Sequence, residues 1–384
     1  MLTIKDSKLA LYRMKINGKY FRTFWFDQKQ KHVLYTFDQR KFPHQTEVFT
    51  INDSEKAAKA IEKMIVRGAP LIGVTAAFGV YLAARESSGK KFREYIFERI
   101  ERLQATRPTA VNLFWALDSQ RKIVEFNPES SPAQLATLLF NNANQMLEKD
   151  VEACKSIGEY GLSIIQEIAA TKPDGEPVNI LTHCNAGWLA CIDWGTATAP
   201  IYLAHEKGIN IHVWVDETRP RNQGANLTAF ELQQQGVPHH LITDNAGGLL
   251  MRQGLVDLVF VGADRVARNG DVANKIGTYL KALAANDCHI PFYVALPSYT
   301  VDSKLKSGDK IPIENRSEKE VKYVHGKSAK GQIEKVLICP EGTPGYNPGF
   351  DITPNRIISG LVSEKGIFPA SEEGVDQLLE LAQA

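Results

Sequence analysis

The spacing of apolar residues changes near residue 178, and the change predicts two kinds of architecture along the chain. Before that point, apolar positions recur at the intervals of amphipathic helices, at residues 54–84, 92–105, 109–125 and 132–170. A strand-like run, HVLYTF at 32–37, precedes them. The first part of the chain is therefore predicted to combine a few strands with a set of packed helices.

After residue 178, short apolar runs alternate with helical intervals. The runs are VNILTHC (178–184), INIHVWVDE (209–217), HHLITDN (239–245), VDLVFVGAD (256–264) and PFYVALP (291–297). This alternation is typical of a parallel, doubly wound sheet. The last two runs are almost continuously apolar, as expected of strands that helices cover on both faces. The predicted fold class is α/β, with an N-terminal sheet-and-helix domain and a C-terminal Rossmann-like doubly wound parallel sheet.

The length of the chain also favours two domains, because 384 residues exceed a single core of usual size. We predict an N-terminal strand and helical domain over residues 1–150 and a Rossmann-like domain over residues 151–384. The linker is expected in the polar segment 171–179 or in the helix before it.

Composition and charge exclude several classes of partner. Apolar residues make up 43% of the chain and charged residues 23%, as in ordinary globular proteins. Forty-five basic residues against forty-four acidic ones leave a net charge of +1, so nucleic acid is not an expected partner. The N-terminus carries no apolar signal segment, and the most apolar run, 69–84, is short for a membrane span. We therefore expect a buried helix at 69–84, no membrane partner and a cytoplasmic location.

The five cysteines indicate neither a disulfide framework nor a structural zinc site. They are scattered, odd in number and form no CxxC pair. His183 beside Cys184 could suggest a metal pair, but neighbours on a strand point to opposite faces. No GxGxxG motif follows the first strand of the predicted sheet, so no dinucleotide is implied. The site is expected to hold no metal and no organic cofactor.

Two residues of chemical interest follow predicted strands. In such sheets, ligands bind at the carboxyl ends of the strands, where Cys184 and Asp264 lie. A helix beginning after Cys184 would lower the pKa of its thiol, whereas burial of Asp264 would raise the pKa of its carboxyl group. Together they would form a proton-transfer pair. The alternatives are inert packing for Cys184 and a turn cap for Asp264.

Two arginine motifs suggest an anion site. Arg67, Gly68 and Ala69 precede or open a helix whose first position is predicted to be Pro70, and free amides at a helix start attract anions. Arg107 lies before Pro108, in an extended segment ahead of another helix. A surface salt bridge and a loop contact to a carbonyl group are the alternatives for these arginines.

Three further polar residues lie beside the predicted strand ends. Gln223 belongs to the polar loop 216–230, which either binds a polar ligand or forms a solvated turn. Asn274 and Lys275 are predicted to open the helix after Asp264, and an ordinary first turn is their alternative.

The motifs together identify the chain as resembling the methylthioribose-1-phosphate isomerases of methionine salvage, which are related to the alpha, beta and delta subunits of initiation factor 2B. The segments that carry the resemblance are FDQRKFP (37–43), VRGAPLIGV (66–74), ATRPTAVNLFWALD (105–118), LTHCNAG (181–187), DETRPRNQGANLTAFEL (216–232), ITDNAGG (242–248), VGADRVARNGDVANKIGTY (261–279), IPIENR (311–316) and YNPGFDITP (346–354). The resemblance implies that Cys184 and Asp264 are catalytic. It implies substrate contacts for the remaining candidates, which are Arg67, Gly68, Ala69, Arg107, Gln223, Asn274 and Lys275.

The resemblance also implies a homodimer, no cofactor and an aldose–ketose isomerisation of a ribose 1-phosphate. Asp264 would protonate the ring oxygen, and a Cys184 thiolate would act at C2, with a hydride shift as the alternative. Trp188, Trp194 and the long segment 322–345 depart from many relatives, so the substituent at C5 stays open. 5-Deoxyribose 1-phosphate and, as in archaeal relatives, ribose 1,5-bisphosphate are alternative substrates. A non-catalytic regulatory or sugar-phosphate-binding protein is the alternative from another functional class.

Overall fold

A computed structural model describes residues 14–87, 89, 91–107 and 110–383. The predictions on residues 1–13 and on Pro108 lie outside these ranges. The described chain begins with a small hairpin and a three-stranded antiparallel sheet. These strands are β1 (Lys15–Ile16), β2 (Lys19–Tyr20), β3 (Phe24–Phe26), β4 (Leu34–Phe37) and β5 (Val48–Ile51). The predicted strand at 32–37 corresponds to β4.

Helices follow where the apolar spacing predicts them, with one difference. They are α1 (Ser54–Glu62), α2 (Ala69–Glu86), α3 (Phe92–Gln104), α4 (Val111–Phe126) and α5 (Pro132–Ala169). The continuous helical pattern at 54–84 forms two helices, because Met64 and Gly68 have positive φ angles of 55° and 95°. Helix α2 is buried from Ala69 to Ala84, which confirms the expectation of a buried helix for that run.

Helix α5 is shared between two hydrophobic cores. Its residues up to Leu147 pack in a core with α1 to α4, and those from Cys154 to Ile165 pack in the core of the larger sheet. Residue 150, the predicted domain boundary, lies inside this continuous helix. The division into two domains stays a prediction.

The second half contains a seven-stranded sheet in the order β18-β17-β12-β9-β6-β7-β8. Its strands are β6 (Val178–Thr182), β7 (Ile211–Asp216), β8 (His239–Ile242), β9 (Leu258–Gly262), β12 (Phe292–Ala295), β17 (Gly360–Ser363) and β18 (Gly366–Phe368). All neighbouring pairs are parallel except β17 and β18. The helices of this half are α6 (Ala199–Glu206), α7 (Ala229–Gln235), α8 (Ala246–Arg252), α9 (Thr278–Asp287), α10 (Lys319–Lys322) and α11 (Glu372–Gln383). The predicted α/β class and parallel sheet are confirmed.

A second sheet, absent from the sequence prediction, lies beside the carboxyl end of β9. Its strands are β13 (Val301–Asp302), β10 (Arg265–Ala267), β11 (Val272–Lys275) and β16 (Phe350–Thr353), in that order. A separate hairpin consists of β14 (Tyr323–Lys327) and β15 (Ile333–Leu337), within the unusual segment 322–345. No helix among the described residues is long and apolar enough to cross a membrane.

Candidate active site

Eight of the nine predicted site residues line one pocket. It lies at the carboxyl ends of β6 and β9, where the start of α2 and the loop after β7 also meet. The eight are Arg67, Gly68, Ala69, Arg107, Cys184, Gln223, Asp264 and Lys275. The apolar part of the wall is formed by Met64, Ile72, Ala110, Ala273, Ile311, Pro312 and Phe350. Such a mixture of convergent polar groups and apolar wall suits a small polar ligand with an apolar substituent.

The start of helix α2 requires glycine at one position. Gly68 has φ 95°, and a Cβ atom there would lie 2.3 Å from the carbonyl oxygen of Ala190. The helix begins at Ala69, so Pro70 occupies its second position rather than the predicted first one. The Arg67 guanidinium donates through Nη2 to the Asn185 carbonyl oxygen at 2.7 Å and through Nη1 to the Asn185 side-chain oxygen. Arg67 is thereby held against the residue that follows Cys184.

Cys184 is buried at the pocket wall in a left-handed backbone conformation, with φ 66°. Its amide donates to Thr218 Oγ1 at 2.8 Å, and its carbonyl oxygen accepts from Thr228 Oγ1 at 2.7 Å. The prediction of a lowered thiol pKa is wrong: burial raises the pKa of Cys184, although Arg67 and Lys275 oppose the shift. Only a three-residue 3₁₀ helix, Trp188–Ala190, follows Cys184 closely, so the expected helix dipole is missing.

The pKa of Asp264 is shifted in the predicted direction. Burial raises the pKa of its carboxyl group, against the opposing effect of Lys275, Arg67 and Arg107. Its backbone N–H donates to the Ala273 carbonyl oxygen at 3.0 Å, which places the residue at the start of the second sheet. A carboxyl group with raised pKa beside a pocket is suited to donate a proton.

Lys275 and Asn274 lie on strand β11 and not at a helix start, so that prediction is wrong. Because side chains alternate along a strand, Lys275 lines the pocket, whereas Asn274 donates to Thr278 Oγ1 at 3.1 Å on the other face. The Lys275 ammonium donates to the Gly349 carbonyl oxygen at 2.9 Å and lies 4.7 Å from the centre of the Phe350 ring. Burial lowers the pKa of Lys275, and Cys184 and Asp264 oppose this shift.

Arg107 and Gln223 each carry a buried polar atom that makes no hydrogen bond within the described part of the chain. The Nε atom of Arg107 and the Oε1 atom of Gln223 are buried and have no hydrogen-bond partner among the described residues. Arg107 Nη2 lies 3.7 Å from Glu314 Oε2, and burial lowers the pKa of the guanidinium. Since buried polar atoms are normally satisfied, these two positions are suited to contact a polar ligand.

The sequence interpretation missed residues that hold the site residues in place without lining the pocket. Asn185 bridges Arg67 to Glu231, whose carboxylate accepts from Asn185 Nδ2 at 3.0 Å, Leu189 N at 2.9 Å and Tyr202 Oη at 2.8 Å. Burial raises the pKa of Glu231 to about 7. Asn185 could have been found because it directly follows Cys184, whereas Glu231 lies in helix α7 without any local signal.

A metal pair of His183 and Cys184 receives no support from the geometry. His183 Nδ1 lies 2.7 Å from Asp216 Oδ2, and Nε2 lies 2.9 Å from the Ile276 carbonyl oxygen. Both ring nitrogens are therefore already hydrogen-bonded, which leaves no lone pair for a metal ion.

Comparison with known proteins shows the family. The model of the initiation factor 2 subunit family matches residues 65–370. A methylthioribose-1-phosphate isomerase from Sinorhizobium medicae is 53% identical over 366 residues, which are 95% of this chain and 99% of the relative. This relative confirms the predicted resemblance to the methylthioribose-1-phosphate isomerases.

Solved structures agree with these relatives. The crystal structure of 5-methylthioribose 1-phosphate isomerase from Pyrococcus horikoshii has a TM-score of 0.81 and 38% identity, over 99% of this chain and 100% of that chain. The delta subunit of translation initiation factor eIF-2B from A. fulgidus has a TM-score of 0.76 and 37% identity, over 94% and 99% of the two chains. The chain therefore belongs to the initiation factor 2 subunit family and, within it, to the methylthioribose-1-phosphate isomerases.

Proposed function

We propose that this protein converts 5-methylthioribose 1-phosphate into 5-methylthioribulose 1-phosphate, a step of methionine salvage, with Asp264 as acid and Cys184 as base. The observation that carries the proposal is the meeting of Asp264 and Cys184 in one pocket with three cationic side chains, those of Arg67, Arg107 and Lys275. Relatives of this chain at about half identity bear the name of this activity.

Ring opening requires an acid. In a ribose 1-phosphate the anomeric oxygen is esterified, so the ring does not open as that of a free sugar does. Protonation of the ring oxygen by Asp264 allows the bond between C1 and that oxygen to break. Because burial raises the pKa of Asp264, the protonated form needed for this step is favoured.

Isomerisation then moves hydrogen from C2 to C1. The Cys184 thiolate takes the proton from C2, which gives an enol phosphate, and returns a proton to C1. The Asp264 carboxylate takes the proton of the 2-hydroxyl group as the ketone forms, so both side chains regain their starting state. Arg67 and Lys275 favour the thiolate electrostatically, although burial of Cys184 opposes it.

The phosphate group needs compensating charge. Arg67, Arg107 and Lys275 supply cations, and helix α2 begins at the pocket with Gly68 and Ala69. Free amides at a helix start and arginine forks are the usual phosphate-binding groups of proteins. Gln223 offers its unpartnered amide oxygen to a sugar hydroxyl group.

A second candidate substrate is 5-deoxyribose 1-phosphate. The β14–β15 hairpin bears on the choice between the two substrates, because its Tyr323, Val324, His325 and Lys335 line a second pocket. This second pocket shares Met64, Arg67 and Gln223 with the first one. Trp188 and Trp194, by contrast, are buried in the core of the larger sheet and line neither pocket, so they carry no information on the C5 substituent.

The test is ketose formation by the purified protein from both sugar phosphates in parallel. We expect a higher kcat/KM for the 5-methylthio substrate, and a loss of at least about 1000-fold in kcat for Cys184→Ser and for Asp264→Asn. Near-normal turnover of both variants would contradict the assigned roles, and no turnover of either substrate by the wild type would favour a sugar-phosphate-binding protein. Deuterium at C1 of product formed in D₂O supports proton transfer, whereas its absence favours a hydride shift.

A further inference from the structure

A buried histidine connects the two halves of the candidate site. His183 directly precedes Cys184, and its Nε2 atom lies 2.9 Å from the carbonyl oxygen of Ile276, which directly follows Lys275. The ring also packs against Gly277, where an added Cβ atom would lie 2.9 Å from the imidazole. One side chain therefore ties the end of β6 to the end of β11.

Two hydrogen-bond partners hold the ring of this histidine. Nδ1 lies 2.7 Å from the Asp216 carboxylate, and Nε2 lies 2.9 Å from the Ile276 carbonyl oxygen. The Lys281 ammonium lies 3.2 Å from the same Asp216 oxygen and donates to the Asp244 carbonyl group. This ammonium group places a positive charge beside the group formed by His183, Asp216 and Asp244.

A third carboxyl group, that of Asp351, belongs to the same cluster. Asp351 accepts from the backbone amides of Gly277 at 2.7 Å and Tyr279 at 3.2 Å. Asp216, Asp244 and Asp351 thus lie near His183 and Lys281 in a largely buried space. Breaking a buried network of this kind lowers the stability of the fold and also removes the fixed geometry of the side chains in the network.

Asp216 also reaches Cys184 by a second route. Its carbonyl oxygen accepts from Thr218 Oγ1 at 3.0 Å, and the same hydroxyl oxygen accepts the Cys184 amide at 2.8 Å. Asp216 therefore fixes Cys184 through Thr218 and the Lys275 segment through His183. His183, Asp216, Thr218 and Ile276 are not among the residues that line the pocket.

We propose that His183 is a positioning residue of the isomerase, which holds the Cys184 and Lys275 segments at the separation that the reaction needs. The inference rests on the proposed function. The contact of His183 Nε2 with the Ile276 carbonyl oxygen serves catalysis, whereas the contact of Nδ1 with Asp216 serves chiefly the stability of the fold. Misplacement of a reacting group by about 1 Å costs on the order of 100-fold in rate.

Two substitutions of the same histidine separate these contributions. In His183→Gln, the amide nitrogen replaces Nε2 and keeps the donation to Ile276, whereas the contact with Asp216 is lost. In His183→Asn, the amide nitrogen replaces Nδ1 and keeps the donation to Asp216, whereas the link to Ile276 is lost. Both variants are neutral, so they differ mainly in which partner they retain.

We expect opposite orders in the two measurements. The kcat of His183→Asn falls by about 100-fold with KM changed by less than about threefold, whereas the kcat of His183→Gln stays within about fivefold of the wild type. The melting temperature falls further in His183→Gln, because Asp216 loses its nearest donor. Asp216→Asn, which keeps the volume but removes the charge, is expected to behave like His183→Gln, with a lower melting temperature and a kcat within about fivefold of the wild type.

The outcomes distinguish the inference from the proposed function. Equal kcat losses in the two His183 variants, or a larger loss in His183→Gln, would overturn the positioning role. If His183→Asn does not fold, a kcat loss above about tenfold in His183→Gln or in Asp216→Asn overturns the assignment. An inactive wild type, in contrast, would overturn the proposed function, which is why its turnover is measured first.

Discussion

At the scale of single residues, the surroundings of a side chain decide its chemistry more than its type does. Asp264 and Cys184 both lie at strand ends, and burial favours the neutral form of both. For the acid, this direction agrees with its proposed role. For the thiol it opposes the proposed role, so the cations Arg67 and Lys275 and the bound substrate must together set the thiolate fraction.

The first prediction concerns the pH dependence of Cys184 alkylation. Iodoacetamide reacts with the thiolate, and the pKa of Cys184 is raised by burial, so its alkylation rate in the free protein should still be increasing with pH where an ordinary cysteine has reached its plateau. Peptide mapping by mass spectrometry over a series of pH values measures this rate. The partly exposed Cys339 provides an internal reference for the reagent. A rate at Cys184 that is already maximal near pH 7 would show that the cations outweigh burial.

At the scale of elements, the order of strands and helices could be read from local patterns, but their ends could not. The apolar run 256–264 predicts a strand, and β9 ends at Gly262 because Asp264 begins the turn into β10. The segment before Thr278 was predicted as a helix, yet Asn274 and Lys275 pair with β16, a strand about 75 residues away in the chain. Pairing with so distant a segment leaves no signal in the local sequence.

The second prediction concerns the β14–β15 hairpin. Tyr323 lines the second pocket next to the candidate site, so we expect the hairpin to contact the C5 substituent of the sugar. Tyr323→Ala should raise KM about tenfold for 5-methylthioribose 1-phosphate, the loss expected for about 1–2 kcal/mol of apolar contact, and leave KM for 5-deoxyribose 1-phosphate unchanged. Ile333→Ala is the matched control, because Ile333 lies on the same hairpin, is 46% exposed and lines neither pocket. Equal changes in KM for both sugars would disprove this contact.

At the scale of the whole molecule, several leucines in the second half of the chain are exposed. Leu241 lies on the edge strand β8 and is 52% exposed, whereas Leu249 on α8 and Leu280 on α9 are 58% and 59% exposed. Helices α8 and α9 contact each other, so their leucines belong to one region. Apolar patches of this kind and free edge strands commonly mark association surfaces.

The third prediction therefore places the expected homodimer contact on this region. The double variant Leu249→Glu with Leu280→Glu should be a monomer, because it brings like charges into an apolar interface. Light scattering coupled to size-exclusion chromatography measures the mass. Phe126→Glu, a change of a 77% exposed residue at the end of α4, is the control and should leave the mass of the wild type. A dimeric double variant would place the contact elsewhere.

The sequence by itself determined the parallel sheet and the set of candidate residues. Alternating strand and helix patterns specify a doubly wound sheet, and such a sheet brings the carboxyl ends of its strands to one edge, where Cys184 and Asp264 were expected. The sequence also offered Arg67, Arg107, Gln223 and Lys275 as candidates, and the resemblance implied that they contact substrate. The structure brings all four to the same pocket.

The tertiary structure alone decided the protonation preference of Cys184, the orientation of Asn274 and the network behind the site. Desolvation of Cys184 depends on everything packed around it, and alternation on β11 turns Asn274 away from the pocket once that strand pairs with β16. The position of His183 beside Cys184 in the sequence suggests only a metal pair. Its hydrogen-bond partners Asp216 and Ile276 lie 33 and 93 residues away in the chain. Local sequence patterns report which element forms, but burial and long-range contacts fix what a side chain does there.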